Sequence, residues 1–198
     1  MNKVVKTRRG GPRTFDRAQA VDIAMRLFWR HGYEGVSLND LTSAIGIAPP
    51  SLYAAFGSKA GLYRETLDHY IGLPASVQDM SGAVSLQEAI ETLLRKAIDA
   101  VIDPDRERGC MISSGMTECA SEHAGLALEL AERRNGMRAM IEEALTRWLE
   151  AERSVSLARY LVAVLQGLSI QARDGASRRE LEQVSAEAIA GLQARSLG

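Results

Sequence analysis

The chain has 198 residues, 46% of them hydrophobic and 25% charged, and a formal net charge of −1. That is ordinary globular composition at a length that buries a sizeable core, which excludes a disordered chain and a disulfide-stapled mini-protein. No apolar run approaches the roughly 18 residues of a membrane span, no signal-type apolar stretch follows the basic N-terminus, and two cysteines suit a reducing compartment, so the expected location is the cytoplasm, away from membranes.

The charge is unevenly spread. Residues 1–60 hold nine Lys or Arg against four acids, and residues 61–198 hold fifteen against twenty-one. Residues 1–14 hold five basic residues and no acid. With Gly10, Gly11 and Pro12 and no apolar period, they predict a flexible basic arm whose Arg8, Arg9 and Arg13 suit a polyanion.

From Phe15 a helical period begins, with Ala20, Ile23, Ala24, Leu27 and Phe28 on one face and Gly32 at its end. Ser37 and Asp40 have capping-box spacing and open a short helix that Gly46 breaks. Another short helix starts at Pro49, where proline is tolerated, and stops at Gly57. Ser58 caps a fourth, ending near Ile71. Residues 72–84 read as a connection. Beyond it the pattern predicts helices from Ser85 to Ile102, from Gly109 to about Ala120, over 122–152, from Ser156 to Arg173 and from Ser177 to about Arg195. No strand pattern is present. The expectation is an all-α chain of about nine helices: an arm at 1–14, a head at 15–71, and a helical body at 85–198.

Two short helices joined by a glycine turn on a longer helix form a helix-turn-helix pattern. The second short helix needs apolar anchors inside, here Ile47, Leu52 and Phe56. Its outer side offers Pro49, Pro50, Ser51, Tyr53 and Ala54 to a major groove about 12 Å wide.

The runs Leu27 to Leu38, Ile45 to Ala48 and Ser51 to Leu62 resemble the head of the tetracycline-repressor (TetR) family, with Gly32-Tyr33, Gly35, Leu52-Tyr53, Phe56 and Lys59 at the family's spacing. The resemblance covers about residues 15–63. It implies that Ser37, Tyr53 and Lys59 meet DNA phosphates and that Ser51, Pro49, Pro50 and Ala54 meet base edges. It also implies a dimer and an effector pocket in the body, opening between the helices at 85–102, 110–120 and 122–152; no cofactor is expected. One departure stands out. Ala48 occupies the usual Ser or Thr cap position, a loss of about 1 kcal/mol that proline preorganisation partly offsets. The reading face also lacks Arg, Asn and Gln. Thymine methyls and DNA shape then carry more of the selection, with the arm in the flanking minor groove.

In the body, Leu157, Tyr160, Leu161, Val164, Leu165 and Leu168 recur at helical spacing, and Leu181, Val184, Ala188 and Leu192 continue the plan as a candidate dimer face. Met111, Met116, Cys119, Met137 and Met140 are soft side chains of the kind that line adaptable pockets. An alternative is metal or thiol sensing. Met116, Cys119 and His123 would share a face of a continuous helix with Cu(I)- or Zn-type donors, and Cys110 or Cys119 could oxidise. Catalysis is not expected. None of His31, His69 and His123 follows a Glu at three residues, and no HExxH, G-x-S-x-G or glycine-rich phosphate loop occurs. The predicted function is a ligand-responsive repressor that binds a palindromic operator as a homodimer. The effector releases it by tilting the helix over 58–71.

Overall fold

The computed structural model describes residues 16–72, 80 and 82–196. The basic arm with Arg8, Arg9 and Arg13, and most of the 72–84 connection, lie outside them. Helix α1 (Arg17–His31) starts where the Asp16 carboxylate accepts the Gln19 N–H at 3.1 Å, satisfying a first-turn donor. Helices α2 (Leu38–Ile45), α3 (Pro49–Phe56) and α4 (Lys59–Ile71) complete the head. The body holds α5 (Leu86–Val101), a one-turn α6 (Met111–Ser114), a 3-10 turn at Ser121–His123, α7 (Ala124–Leu145), α8 (Ala151–Arg173) and α9 (Arg178–Ser196). Among the described residues there is no strand, so the all-α expectation of about nine helices holds.

Two apolar cores organise the chain. The first joins Phe28, Leu41, Leu52, Leu62 and Tyr63 of the head to Met111, Met116, Leu126 and Leu130 of the body. The second joins α5, α8, α9 and the C-terminal half of α7. The head is therefore seated on α6 and the start of α7 through shared apolar burial, the main favourable term in folding.

The body departs from its sequence pattern in three places. The helix predicted from Gly109 to Ala120 is only α6. Gly115 is extended, and Met116 takes a positive φ of 52°. The cause is tertiary. Arg134 of α7 draws off the Ile112 and Gly115 carbonyls at 3.1 and 2.9 Å, and a Cβ on Gly115 would sit 2.7 Å from Leu130. The 122–152 helix stops at Leu145, where the Thr146 hydroxyl donates to the Glu143 carbonyl at 2.6 Å. Helix α8 then begins at Ala151 rather than Ser156. Among the described residues α8 is the one helix long and apolar enough to cross a membrane by length and composition. One side of it faces the chain's own core through Leu157, Leu161, Leu165 and Leu168.

Candidate nucleic-acid interface

Helix α2 is fixed locally. The Ser37 hydroxyl accepts the Asp40 N–H at 3.1 Å, while the Asp40 carboxylate accepts the Ser37 N–H at 2.8 Å and its O–H at 2.6 Å. These bonds hold the Asp40 carboxyl below its usual range. Gly46 ends α2 in the left-handed conformation, φ 77°, which only glycine adopts freely. The turn delivers Leu52 and Phe56 of α3 into the first core.

The start of α3 has an unusual economy. Helix N-termini normally leave several N–H groups unmet. Here the first two positions are Pro49 and Pro50, which have none, and the Ser51 N–H donates to the Ala48 carbonyl at 2.9 Å. The N–H that a side-chain cap would take, that of Ser51, already has this carbonyl as its acceptor. The two prolines and the Ser51 bond thus offset part of the missing cap.

Pro49, Pro50, Ser51, Tyr53 and Ala54 are all exposed, so the five residues assigned to the outer face of α3 share one open surface. Tyr53 is 47% exposed. That surface carries no charge. Lys59 lies at the first position of α4, half-buried, with its ammonium 4.1 Å above the Tyr33 ring. Burial lowers its pKa, and the nearby Glu34 and Asp40 act in the opposite sense. The Ser37 hydroxyl is exposed, but its proton is already committed to Asp40.

The head is tied to the body by polar links that sequence reasoning missed. Glu34 accepts from the Ala120 N–H at 3.1 Å and meets His123 Nδ1 at 2.7 Å, which holds the Glu34 carboxyl below its usual range. Arg64 of α4 forks onto Glu129 of α7 at 2.7 and 2.6 Å, and Arg133 of α7 reaches Asp68 at 2.6 Å. Arg30 forks onto Glu107 at 2.9 and 2.7 Å. Each pairs residues more than sixty positions apart, so no local spacing announces it.

The other assigned residues are spread more widely. Met111 and Met116 line a cavity of about 320 Å³ between α1, α4, α6 and α8. Cys119 and Met137 are half-buried beside the first core, and Met140 is 44% exposed. Met116, Cys119 and His123 do not share a helical face, because α6 ends before the first of them. Among the described residues no group of three His, Cys, Asp or Glu is placed to hold a metal. Cys110 is a free thiol whose sulfur accepts the Ser113 N–H at 3.4 Å. Of the candidate dimer face, Leu157, Leu161, Leu168 and Leu181 lie inside the chain's own core. Val164, Val184 and Leu192 are half-buried, and Tyr160 is exposed. The outward edge of α8 carries the apolar Tyr160, Ala163 and Ile170 beside the exposed Ser156, Arg159 and Gln171.

Residues 20–66 match the family model described as bacterial regulatory proteins, tetR family. The chain is 35% identical to the HTH-type transcriptional repressor ComR of Escherichia coli (strain K12), over 91% of this chain and 90% of that one. It is 31% identical to the HTH-type transcriptional repressor BdcR of the same organism, over 87% and 86%. Among solved structures, a cysteine mutant of the TetR family transcriptional regulator CifR, complexed with double-strand operator DNA, superimposes with a TM-score of 0.84. It is 36% identical, covering 91% of this chain and 98% of that one.

Proposed function

The chain belongs to the tetR family of bacterial regulatory proteins, and from that premise we propose that it is a cytoplasmic repressor that binds a palindromic operator as a homodimer and is released by a small effector. The observation that carries this reading is the outer face of α3. Five exposed residues stand on a helix whose inner face is anchored in the core, and a glycine turn sets its direction. A helix presented in this way fits a major groove. Tyr53 and Lys59 serve phosphates at its flanks, and Ser37 does so by exchanging its Asp40 bond for one to the anion. Pro49, Pro50, Ser51 and Ala54 meet base edges. Arg8, Arg9 and Arg13 add affinity from the arm, in the adjacent minor groove.

Dimerisation sets the second half of the fit. Two reading helices one DNA turn apart, about 34 Å, engage both half-sites only at the right separation. The outward edge of α8, with Val184 and Leu192 of α9, is the face we assign to the partner copy. Helix α4 links that geometry to the effector, since Arg64 and Asp68 fasten it to α7. An effector that displaces α4, directly or through the elements fastened to it, moves the heads with it. A complete switch needs the effector to prefer the released state by about 5.5 kcal/mol.

The test is a mobility-shift titration with the DNA flanking the protein's own gene. The wild type binds a palindrome there and not a scrambled duplex. Lys59→Ala reduces the slope of log affinity against log salt by about 1. No preference for any flanking palindrome overturns the repressor reading, and an unchanged slope overturns the role of Lys59.

A further inference from the structure

The cavity at the junction of head and body has a composition that points to its occupant. Phe28, Tyr63, Met111 and Met116 supply an apolar wall, and Arg173 and Ser114 supply a polar one. At about 320 Å³ it is at the small end of organic ligand sites. Arg173 is half-buried. Its guanidinium donates to Ser114 Oγ at 2.8 Å and to the Trp29 and Arg30 carbonyls at 2.8 and 3.2 Å. All three acceptors are neutral, and among the described residues no carboxylate pairs with Arg173. A charged acceptor makes a bond roughly twice as strong as a neutral one, so this guanidinium is satisfied but not saturated.

Its placement is built in. Gly109 has a φ of 83°, and a Cβ there would lie 2.4 Å from Arg173 Cγ, so the side-chain stem rests on bare backbone. Trp29, also on the cavity wall, has an indole N–H that is buried with no acceptor among the described residues. Asp174 and the C-terminal ends of α1 and α8 also border the cavity and oppose negative charge there, so Arg173 must outweigh them for one carboxylate and leaves no room for a second.

We propose that this cavity is the effector site and that it takes a small organic monocarboxylate with an apolar ring or tail, its oxyanion bound by Arg173. The inference rests on the ligand-responsive reading above and gives it a chemical class and a coupling. Two of the three groups that Arg173 now holds are terminal carbonyls of α1, the first helix of the head. A carboxylate at the guanidinium competes for those donors and loosens α1 from α8. Ligand occupancy and head position are then linked by differential contacts, as a population shift requires.

Butyrate, hexanoate, benzoate and phenylacetate are titrated into the full-length protein by calorimetry and thermal unfolding, beside the neutral probes butanol, hexanol, benzamide and phenylacetamide. At least one carboxylate binds and raises the melting temperature, and the neutral partner of the same shape does neither. Arg173→Gln weakens that binding by about tenfold or more. His31→Trp crowds the cavity mouth from an exposed position and weakens it with Arg173 intact. Silence from all four carboxylates, equal binding of the neutral probes, or wild-type affinity in either variant overturns the proposal. These arms contain no DNA, so their failure is distinct from failure of the repressor reading. Adding the bound carboxylate to the operator complex releases the protein. Binding without release overturns the coupling through Arg173.

Discussion

The α2–turn–α3 unit and the stretch from Cys110 to Ala124 are similar in length and share one core, yet they hold their shapes by opposite means. In the first, the stabilising contacts are local: the Ser37–Asp40 box, the left-handed Gly46, and prolines where a helix tolerates them. In the second, beyond the single turn in which Cys110 meets Ser113 and Ser114, they are distant. Arg134 holds two carbonyls, Arg173 holds Ser114, and Glu34 holds the Ala120 N–H. A self-determined unit keeps its form when its surroundings shift, which suits a reading head. A segment held from three directions reports on all three, which suits a joint between the head and a ligand site.

The largest effect should come from the core that both regions share. Leu52→Ala removes a fully buried side chain and should cost about 2–5 kcal/mol by denaturant titration. The unfolding should stay a single transition. Separate transitions for head and body would show that the shared core does not couple them. Arg134→Ala attacks the distant contacts alone. It leaves two carbonyls without their donor and should cost about 1–3 kcal/mol. A cost near zero would mean that the α6 region holds itself, and the contrast would collapse.

The local side of the comparison is sharpened by two cap variants. Ser58→Ala removes the acceptor of the Gly61 N–H at 2.9 Å and should cost about 1 kcal/mol. Ala48→Ser adds a hydroxyl at the head of α3 and should change stability by less than about 0.5 kcal/mol, because the Ser51 N–H it would cap already has the Ala48 carbonyl. A clear gain from Ala48→Ser would refute that account.

The smallest effect concerns pH. The Glu34 carboxyl is held below its ordinary range, first by its hydrogen bond to His123 and then by the Ala120 N–H. A carboxyl depressed in the folded state binds its proton less readily than in the unfolded chain. Its stabilisation is present above the unfolded value, about 4.3, and is lost as pH falls through the lower folded value. The stability difference between wild type and Glu34→Gln should therefore be flat near neutrality and shrink only at acid pH. A difference that persists unchanged into acid would remove Glu34 from the link.

The same contrast explains what the sequence made legible. The head could be read because its signals sit within four residues of what they control: Ser37 and Asp40, Gly46 beside Pro49, Ser58 before Gly61. The body's helical plan was legible from its apolar period, but the run from Gly109 to Ala120 looked helical because nothing within it forbids a helix. Arg134, about three turns into α7, holds the carbonyls where that run stops being helical. The outer face of α3 was legible as a set, since its inner anchors fix which residues remain outside. Arg173 was not, because a basic residue in the last turn of a helix already has an ordinary explanation in the helix dipole. Gly109 beside it was the available clue, a position where the fold needs bare backbone. The candidate dimer face mixed inward and outward residues because both sides of α8 are apolar.

The paired prolines at the tip of α3 bear on what kind of duplex this protein would prefer. A helix tip stripped of free amide hydrogens offers an approaching phosphate little to grip, so on the proposed reading this end meets DNA through carbon. Synthetic operators in which uracil replaces thymine lose the methyl groups that such a surface rests on. They would be discriminated against even though every Watson–Crick pair is intact.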